Sequence, residues 1–216
     1  MQVKVLASAV CHSDIHFFDN AWGGKLPAVW GHEAAGVVEI VGDDVSGIGV
    51  GDHVVITLIK SCGTCRNCLA GVSVACTGEL TNHPTPLSDA DGDPVAHGLG
   101  TAAFADHAVV DQSQIVVIDP TIAMGPASLL ACGVITGVGA ATNTAEIEPG
   151  STVVVVGTGG VGLNAVQGAK LAGATTIIAV DLSDEKLKAA RTFGATDVVN
   201  SSTVDLIESV KGATNG

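Results

Sequence analysis

The segment TVVVVGTGGVG, which runs from Thr152 to Gly162, joins an apolar strand to a glycine-rich turn. The stretch Gly160–Ala172 that follows is predicted to be a helix. Glycines at this spacing permit a tight turn, let a pyrophosphate approach the backbone and let the helix pack closely against the strand, while the helix N-terminus attracts phosphate. The segment therefore predicts the first strand, turn and helix of a dinucleotide-binding fold.

The residues after this turn continue the alternation of strands and helices. A second strand is predicted over Thr176–Val180, a helix over Ser183–Phe193 with Ser183 as its N-cap, and a short third strand over Asp197–Val199. Asp181 ends the second strand, about 20 residues after the last glycine, where a carboxylate hydrogen-bonds the coenzyme ribose and repels a 2'-phosphate. Asp181 thus favours NAD over NADP, with a strand-end or helix-capping role as the alternative.

The first half of the chain has a different pattern, with short β-type runs separated by Gly, Asp and Pro. These runs are Val3–Val10, Glu33–Val41, Asp52–Ile59, Ala105–Val110 and Gln114–Ile118. They predict an antiparallel, barrel-like β domain. A small-residue stretch over Ala127–Ala141 places the domain boundary near Gly133, so we expect a β-rich domain over residues 1–133 and a dinucleotide-binding domain over 134–216. The expected fold class is α/β with a β-rich domain.

Composition narrows the possible partners. The 216 residues include 22 acidic and 9 basic side chains, for a net charge of -13, and no Lys/Arg cluster that would neutralise a phosphate backbone. Nucleic acid is therefore not an expected partner. We find no apolar run near the roughly 20 residues that span a bilayer, and Met1–Leu6 alternates like a strand rather than a signal peptide. These features favour a cytoplasmic protein without a membrane partner.

Four of the six cysteines follow the pattern C-x2-C-x2-C-x7-C: Cys62, Cys65, Cys68 and Cys76. This spacing lets one short lobe bring four thiolates around a tetrahedral zinc ion, with no position left for a substrate. Such a closed site is structural, and metal binding holds a loop that has little core of its own. Disulfides and an iron-sulfur cluster are the alternatives.

The other two cysteines lie in separate short motifs, CHSDIH from Cys11 to His16 and ACG around Cys132. A third motif, Gly31-His32-Glu33, contributes an imidazole and a carboxylate. Two thiolates and one imidazole make a zinc ligand set that keeps a fourth position open for catalysis. Taken alone, a Cys is more often a small buried hydrophobe and a His a hydrogen-bonded core residue.

These motifs and the glycine-rich turn occur in the order found in zinc-dependent, NAD-linked medium-chain alcohol dehydrogenases, which the chain resembles over nearly its whole length. The resemblance implies a GroES-like catalytic domain followed by a partial Rossmann domain, a doubly wound parallel sheet. It also implies that Cys11, His32 and Cys132 bind a catalytic zinc ion, that Glu33 is a carboxylate beside the metal, and that Asp14 orients His32.

Further site residues are implied by the same resemblance. Ser13 and His16 correspond to the family's proton relay, which runs from the substrate through a hydroxyl and the nicotinamide ribose to a surface imidazole. His12 corresponds to a pyrophosphate contact, Lys186 to an adenosine ribose contact, and Thr136 and Val161 to nicotinamide contacts. Ser13, Trp22 and Leu58 match pocket positions and suggest a small or medium primary alcohol, benzylic alcohols included.

The leading hypothesis is a zinc enzyme that interconverts alcohols with aldehydes or ketones, as a homodimer or homotetramer. A dehydrogenase of formaldehyde–thiol adducts shares both zinc sites, but the surface loop expected over Thr81–His97 offers no Lys or Arg for a thiol carrier's carboxylates. A non-catalytic zinc module, or a zinc-free quinone reductase, leaves several motifs unexplained. Because family members have six strands in the coenzyme sheet and further segments at both ends, we expect the chain to be a fragment, inactive by itself.

Overall fold

The computed structural model describes residues 1–78 and 86–214, and the chain divides after Cys132 into two units, Met1–Cys132 and Gly133–Gly216. Of the surface loop predicted over Thr81–His97, residues 81–85 lie outside the described residues. The described remainder carries an isolated bridge between Ser88 and Pro94 and ends in a two-residue strand.

A five-stranded antiparallel sheet forms the centre of the first unit, in the order β6-β1-β3-β4-β7. Its strands are β1 (Gln2–Ala9), β3 (Glu33–Ile40), β4 (His53–Ile56), β6 (His107–Val109) and β7 (Ile115–Val117), while β2 (Ala28–Val29) and β5 (Ala96–His97) form a separate parallel pair. The predicted strands are therefore present: β1 has the predicted length but begins and ends one residue earlier, and the other four are shortened at one or both ends.

Strand β3 is buried on both faces over its first half. This burial fixes the end of the strand that carries the candidate metal site. Ala34 and Val38 pack with Val3 and Ile56 in the main core, whereas Ala35 faces the opposite way and packs against α3 (Met124–Leu129). An alternating strand has two faces, so the start of β3 is held between the sheet core and this helix.

Two further helices belong to the first unit: α1 (His12–Phe18) and α2 (Arg66–Leu69). Sequence reasoning assigned no helix to residues 12–18, because this segment has no apolar stripe of helical period. The sequence signal for helix α1 lies at its N-terminus. There the Asp14 carboxylate accepts a hydrogen bond from the backbone N–H of Cys11 at 2.9 Å, as an acid three residues after an N-cap does.

The helical run Met124–Thr144 combines α3, α4 (Ile135–Gly139) and two wider π-helical turns, over Leu130–Val134 and Ala140–Thr144. The run has 21 residues and contains an 18-residue window with a mean hydropathy of 1.5, so by length and composition it meets the test for a membrane-crossing helix. The sequence-based finding that no apolar run approaches this length was therefore wrong. Core helices of proteins outside membranes pass the same test.

A parallel three-stranded sheet in the order β10-β9-β8 forms the second unit. Its strands are β8 (Thr152–Val156), β9 (Thr176–Asp181) and β10 (Asp197–Asn200), with helices α5 (Gly160–Leu171), α6 (Asp184–Phe193) and α7 (Leu206–Thr214). Helix α7 was not predicted. It packs Leu206 and Val210 on Ile178, Val180 and Val199.

Helices α4 and α5 approach closely because both carry glycine at the contact. A Cβ atom at Gly137 would overlap the backbone of Val161 and Ala165, and one at Gly168 would overlap Val138 and Ala141. The small-residue composition of this region therefore reflects tight helix packing, which places the helix that carries Thr136 against the start of α5.

Candidate metal centres and coenzyme turn

The lobe that contains Cys62, Cys65, Cys68 and Cys76 brings four sulfur atoms within 4.8 Å of one another. The Sγ atoms of Cys62 and Cys68 are 4.0 Å apart, and those of Cys65 and Cys76 are 3.9 Å apart. Tetrahedral zinc with Zn–S bonds of about 2.3 Å needs sulfur–sulfur separations of about 3.8 Å. The thiolate donor set and its spacing thus fit a closed zinc site.

Backbone N–H groups point at these sulfur atoms. The Sγ of Cys62 accepts from the N–H of Cys65 at 3.2 Å, and the Sγ of Cys65, the N-cap of α2, accepts from the N–H of Cys68 at 3.5 Å. Hydrogen bonds from Thr64 lower the pKa of Cys62 to about 7, and the N–H of Cys68 lowers the pKa of Cys65 to about 5, whereas burial raises the pKa of Cys68 to about 11. The lobe therefore favours the thiolate form, which binds metal, at two positions.

A second cluster joins Cys11, His32, Glu33 and Cys132, whose ligand atoms also lie within 4.8 Å of one another. Cys11 is the N-cap of α1, His32 and Glu33 stand at the start of β3, and Cys132 lies in the π-helical turn after α3. His32 is 1% exposed and Glu33 is 3% exposed. Two thiols, an imidazole and a carboxylate around one buried point suit zinc.

Asp14 lies behind this cluster and contacts two of its members. One carboxylate oxygen is 3.3 Å from His32 Nδ1, and the other accepts from the backbone N–H of Cys11. An imidazole that donates from Nδ1 presents its Nε2 lone pair for a metal. Asp14 is itself buried, so it fixes both the imidazole and the backbone of a neighbouring ligand, a double role that the sequence pattern did not reveal.

The three polar residues that follow Cys11 share helix α1. Ser13 Oγ is 3.7 Å from Cys11 Sγ, and the rings of His12 and His16 are 5.0 Å apart in an edge-on arrangement. His16 is half-buried and His12 is exposed. The helix thus carries Ser13 beside the cluster and His16 one turn further on, towards solvent.

The glycine-rich turn has the geometry that its sequence predicts. Gly157 follows β8 and has φ +87°, a conformation that favours glycine; Gly159 is the N-cap of α5, which begins at Gly160. A Cβ atom at Gly162 would overlap the carbonyl group of Gly157. The helix therefore starts directly against the turn, with its N-terminus free to attract phosphate.

Asp181 ends β9 beside this turn, and both of its carboxylate oxygens are hydrogen-bonded. One accepts from the N–H and hydroxyl of Thr158 at 2.8 and 3.0 Å, and the other from the N–H groups of Leu182 and Ser183 at 2.8 and 3.1 Å. The Thr158 N–H is the main cause that lowers the pKa of Asp181, so this residue is an anion. Its bond to the turn was missed by sequence reasoning.

Three further residues that are predicted to contact the coenzyme lie on helices α4, α5 and α6. Lys186 is an exposed residue in the first turn of α6, whose N-cap is Ser183. Val161, 44% exposed, opens α5, and Thr136 is exposed on α4 next to the close approach of Gly137 to Val161.

Comparison with protein-family models identifies the family of the chain. Residues 1–120 match the alcohol dehydrogenase GroES-like domain, and residues 160–216 match the zinc-binding dehydrogenase family. The chain belongs to the zinc-binding alcohol dehydrogenases with a GroES-like domain. The predicted fold class, a GroES-like domain followed by a partial Rossmann-type domain, is confirmed.

Individual relatives are similar over most of this chain but are longer. S-(hydroxymethyl)glutathione dehydrogenase of Saccharomyces cerevisiae is 41% identical over 209 residues, which cover 93% of this chain and 54% of that protein. Solved structures include an alcohol dehydrogenase zinc-binding domain protein of Burkholderia ambifaria (TM-score 0.94, 37% identity) and benzyl alcohol dehydrogenase of Acinetobacter calcoaceticus (TM-score 0.90, 36% identity). Both alignments cover 100% of this chain and 60% of the other.

Proposed function

We propose that this protein interconverts an alcohol with an aldehyde or ketone by hydride transfer to or from NAD. The observation that carries the proposal is the buried cluster of Cys11, His32, Glu33 and Cys132, with Asp14 behind it. A four-cysteine lobe alone suits any zinc module, whereas a second, mixed-ligand cluster in the same chain as a dinucleotide turn suits an oxidoreductase.

In this proposal Cys11, His32 and Cys132 hold a catalytic zinc ion, and Glu33 is the neighbouring carboxylate. When bound, zinc supplies Lewis-acid polarisation of the substrate oxygen. Asp14 keeps the His32 ring in one orientation and tautomer, because its carboxylate is 3.3 Å from Nδ1. The four sulfur atoms of the lobe hold a second, structural zinc ion.

The proton of the alcohol leaves through helix α1. Ser13 would accept it beside the cluster, and His16 would deliver it to solvent as the general base, with the bound coenzyme supplying the ribose hydroxyl groups of the relay. The 3.7 Å separation of Ser13 Oγ from Cys11 Sγ supports the first position, and the partial exposure of His16 supports the last.

NAD is the proposed coenzyme. The residues that would hold its pyrophosphate are Gly157, Gly159, Gly160, Gly162 and His12. Asp181 and Lys186 would hold its adenosine ribose, and Thr136 and Val161 would contact its nicotinamide. The anionic state of Asp181 supports this choice, because a 2'-phosphate at the same place meets a negative charge.

Asp181→Gly tests the coenzyme assignment. It removes both the ribose acceptor and the repulsion of a phosphate, so we expect the ratio of kcat/KM for NAD to that for NADP to fall by about 10-fold or more, the scale of one charged hydrogen bond. Asp184→Asn is the matched control, because Asp184 is exposed and its carboxylate accepts from Asn200. An unchanged ratio in Asp181→Gly would contradict the assignment.

Oxidation of formaldehyde–thiol adducts is the second candidate function. The identity of 41% to S-(hydroxymethyl)glutathione dehydrogenase favours it. The lack of Lys and Arg over residues 81–97 argues against a carrier with several carboxylates. A small or medium primary alcohol, such as a benzylic alcohol, therefore remains the first choice.

Metal analysis combined with substrate assays on the complete protein distinguishes these functions. We expect two zinc ions per chain, NADH production with simple alcohols and little with S-(hydroxymethyl)glutathione. Preference for the thiol adduct would favour the second candidate. Two zinc ions without NAD binding or turnover would favour a non-catalytic zinc module.

We also propose a reducing, cytoplasmic location, because all six cysteines lie in two clusters whose arrangements suit metal rather than disulfides. A homodimer or homotetramer, without a nucleic-acid or membrane partner, stays a prediction.

A further inference from the structure

His16 belongs to a continuous series of ring contacts in the first unit, which we term the ring series: His12, His16, Trp22, Phe17 and Trp30. The imidazole of His16 lies 4.7 Å from the Trp22 indole at an interplanar angle of 30°, and 5.0 Å from the edge-on ring of His12. His16 is therefore in contact with a ring on two sides.

The backbone after α1 brings Trp22 back over the helix. Asn20 adopts φ 57°, a left-handed conformation that Asn tolerates better than most residues. The N–H of Ala21 then donates to the carbonyl of His16 at 2.8 Å, and the N–H of Asn20 to that of Phe17 at 3.1 Å. This reversal holds the next residue, Trp22, over the last turn of the helix.

Trp22 is held in place from its other side by the rest of the ring series. Phe17 meets Trp22 edge-on at 5.4 Å and stacks on Trp30 at 4.1 Å with an angle of 11°. A Cβ atom at Gly98 would overlap the Trp30 ring, so Trp30 packs directly against the backbone of Gly98. The ring series is therefore tightly packed at Trp30 and exposed at His12.

Core packing alone does not account for Trp22. Its side chain is 57% exposed, and Phe17, Trp22 and Trp30 are three of only six aromatic residues, four Phe and two Trp, in the chain. More than half of the indole surface is therefore in solvent, and burial in a core does not explain why the ring lies against the His16 imidazole.

We propose that Trp22 is a positioning residue for His16, and that it holds the imidazole in one orientation at the solvent end of the proton path. The proposal rests on the role of His16 in the proposed function. It assigns the indole a task beyond lining a substrate pocket: contact with its face restricts rotation of the imidazole on a half-exposed helix. The titratable groups near His16 along the chain are His12, which touches its ring, Asp14, two residues before it on the helix, and Asp19 at the end of the helix.

Fluorescence tests the contact without using activity, because a protonated imidazole that touches an indole quenches its emission. The emission of Trp22 is obtained by subtracting the fluorescence of the Trp22→Phe variant from that of the parent, both measured on the zinc-loaded complete protein. We expect this difference to fall as the pH is lowered from about 8 to 5, the range in which histidines titrate. The fall should vanish in a His16→Asn background and persist in a His12→Asn background. No fall in the parent, or a fall that survives His16→Asn, would overturn the proposal.

The pH dependence of turnover tests the positioning role. Trp22→Leu removes the aromatic face and should lower kcat near neutral pH by about 3-fold, the scale of an exposed ring contact with a cation, with a pH profile that moves towards that of His16→Asn. Trp22→Phe should restore most of the loss. If His16→Asn changes the pH profile but Trp22→Leu does not, the positioning role of Trp22 is refuted while the relay role of His16 is kept. If His16→Asn has the parent profile, the relay fails and the positioning role fails with it.

Discussion

The two cysteine-containing clusters differ in how the chain builds them. The lobe takes its four ligands from one short segment, Cys62 to Cys76, whose helical turns bury no residue. The other cluster gathers Cys11, His32 and Cys132 from three distant segments around a buried point. In the proposed function, metal orders the lobe, because the lobe lacks a core. The second cluster is shaped by strand β3 and helices α1 and α3, and its proposed metal serves chemistry.

The largest difference between the clusters should appear when one thiol is removed from each. Cys11→Ser should lower alcohol oxidation by about 10³-fold, the loss of several kcal/mol of polarisation by the metal, with little change in Tm because the surrounding sheet supplies the fold. Steady-state kinetics, zinc content and thermal unfolding measure this. A large drop in Tm would mean that the second cluster is also structural.

Cys65→Ser should have the opposite signature. Loss of the lobe's metal removes the force that orders a segment without a core, so we expect Tm to fall by roughly 5–10 °C, about 2–3 kcal/mol for a domain of this size. Turnover per correctly folded molecule should change much less than in Cys11→Ser. Equal destabilisation by the two substitutions would refute the difference in roles.

Asp14→Asn tests the support behind the buried cluster. Its amide keeps an oxygen for the N–H of Cys11 but faces His32 Nδ1 with the wrong hydrogen-bonding group, so we expect a loss of about 10- to 100-fold in activity or zinc affinity. The exposed Asp19→Asn on the same helix is the control. Competition with a chelator measures the affinity, and parent-like behaviour in both assays would remove Asp14 from the site.

Asn67→Ala should have the smallest effect and concerns the lobe alone. The Asn67 amide donates to the carbonyl of Ala75 at 2.5 Å and so links helix α2 to the turn that precedes Cys76. Because the pair is exposed, its loss should cost about 0.5 kcal/mol, or roughly 1–2 °C in Tm. Ser73→Ala, at an exposed position in the same lobe, should leave Tm unchanged. An Asn67→Ala variant as unstable as Cys65→Ser would show that this bond, rather than metal, orders the lobe.

The difference between ligands from one short segment and ligands from distant segments also explains how much of each site the sequence could predict. Four cysteines at fixed short spacing define their own geometry, so the lobe is readable from residues 62–76 alone. Cys11, His32 and Cys132 meet only because β3 packs against the helix that leads to Cys132, a fact that no local pattern contains. Their grouping came from the resemblance to a family, and the role of Asp14 at the Cys11 N–H needed coordinates.

In the fold as in the sites, elements with a strong local sequence pattern were predicted, and elements that depend on packing with distant residues were not. Strands such as Thr152–Val156 are strongly apolar and were found within a residue or two of their true ends. Helix α1 was missed, because it is held by its N-terminal acid and by contacts of Phe17 with Trp22 and Trp30 rather than by an apolar stripe. Helix α7 was missed as well, since its packing on β9 and β10 becomes visible only when the sheet is assembled.

The bond between Asp181 and Thr158 limits how coenzyme preference can evolve. The carboxylate proposed to discriminate between the two nicotinamide coenzymes also accepts hydrogen bonds from the N–H and hydroxyl of Thr158 in the glycine-rich turn. A substitution that admits a 2'-phosphate therefore leaves two donors of the turn without their partner, a cost of about 1–3 kcal/mol. Selection for NADP use from a library randomised at both positions should recover paired changes, because a lineage that alters position 181 alone gains a new coenzyme only by loosening the loop that binds it.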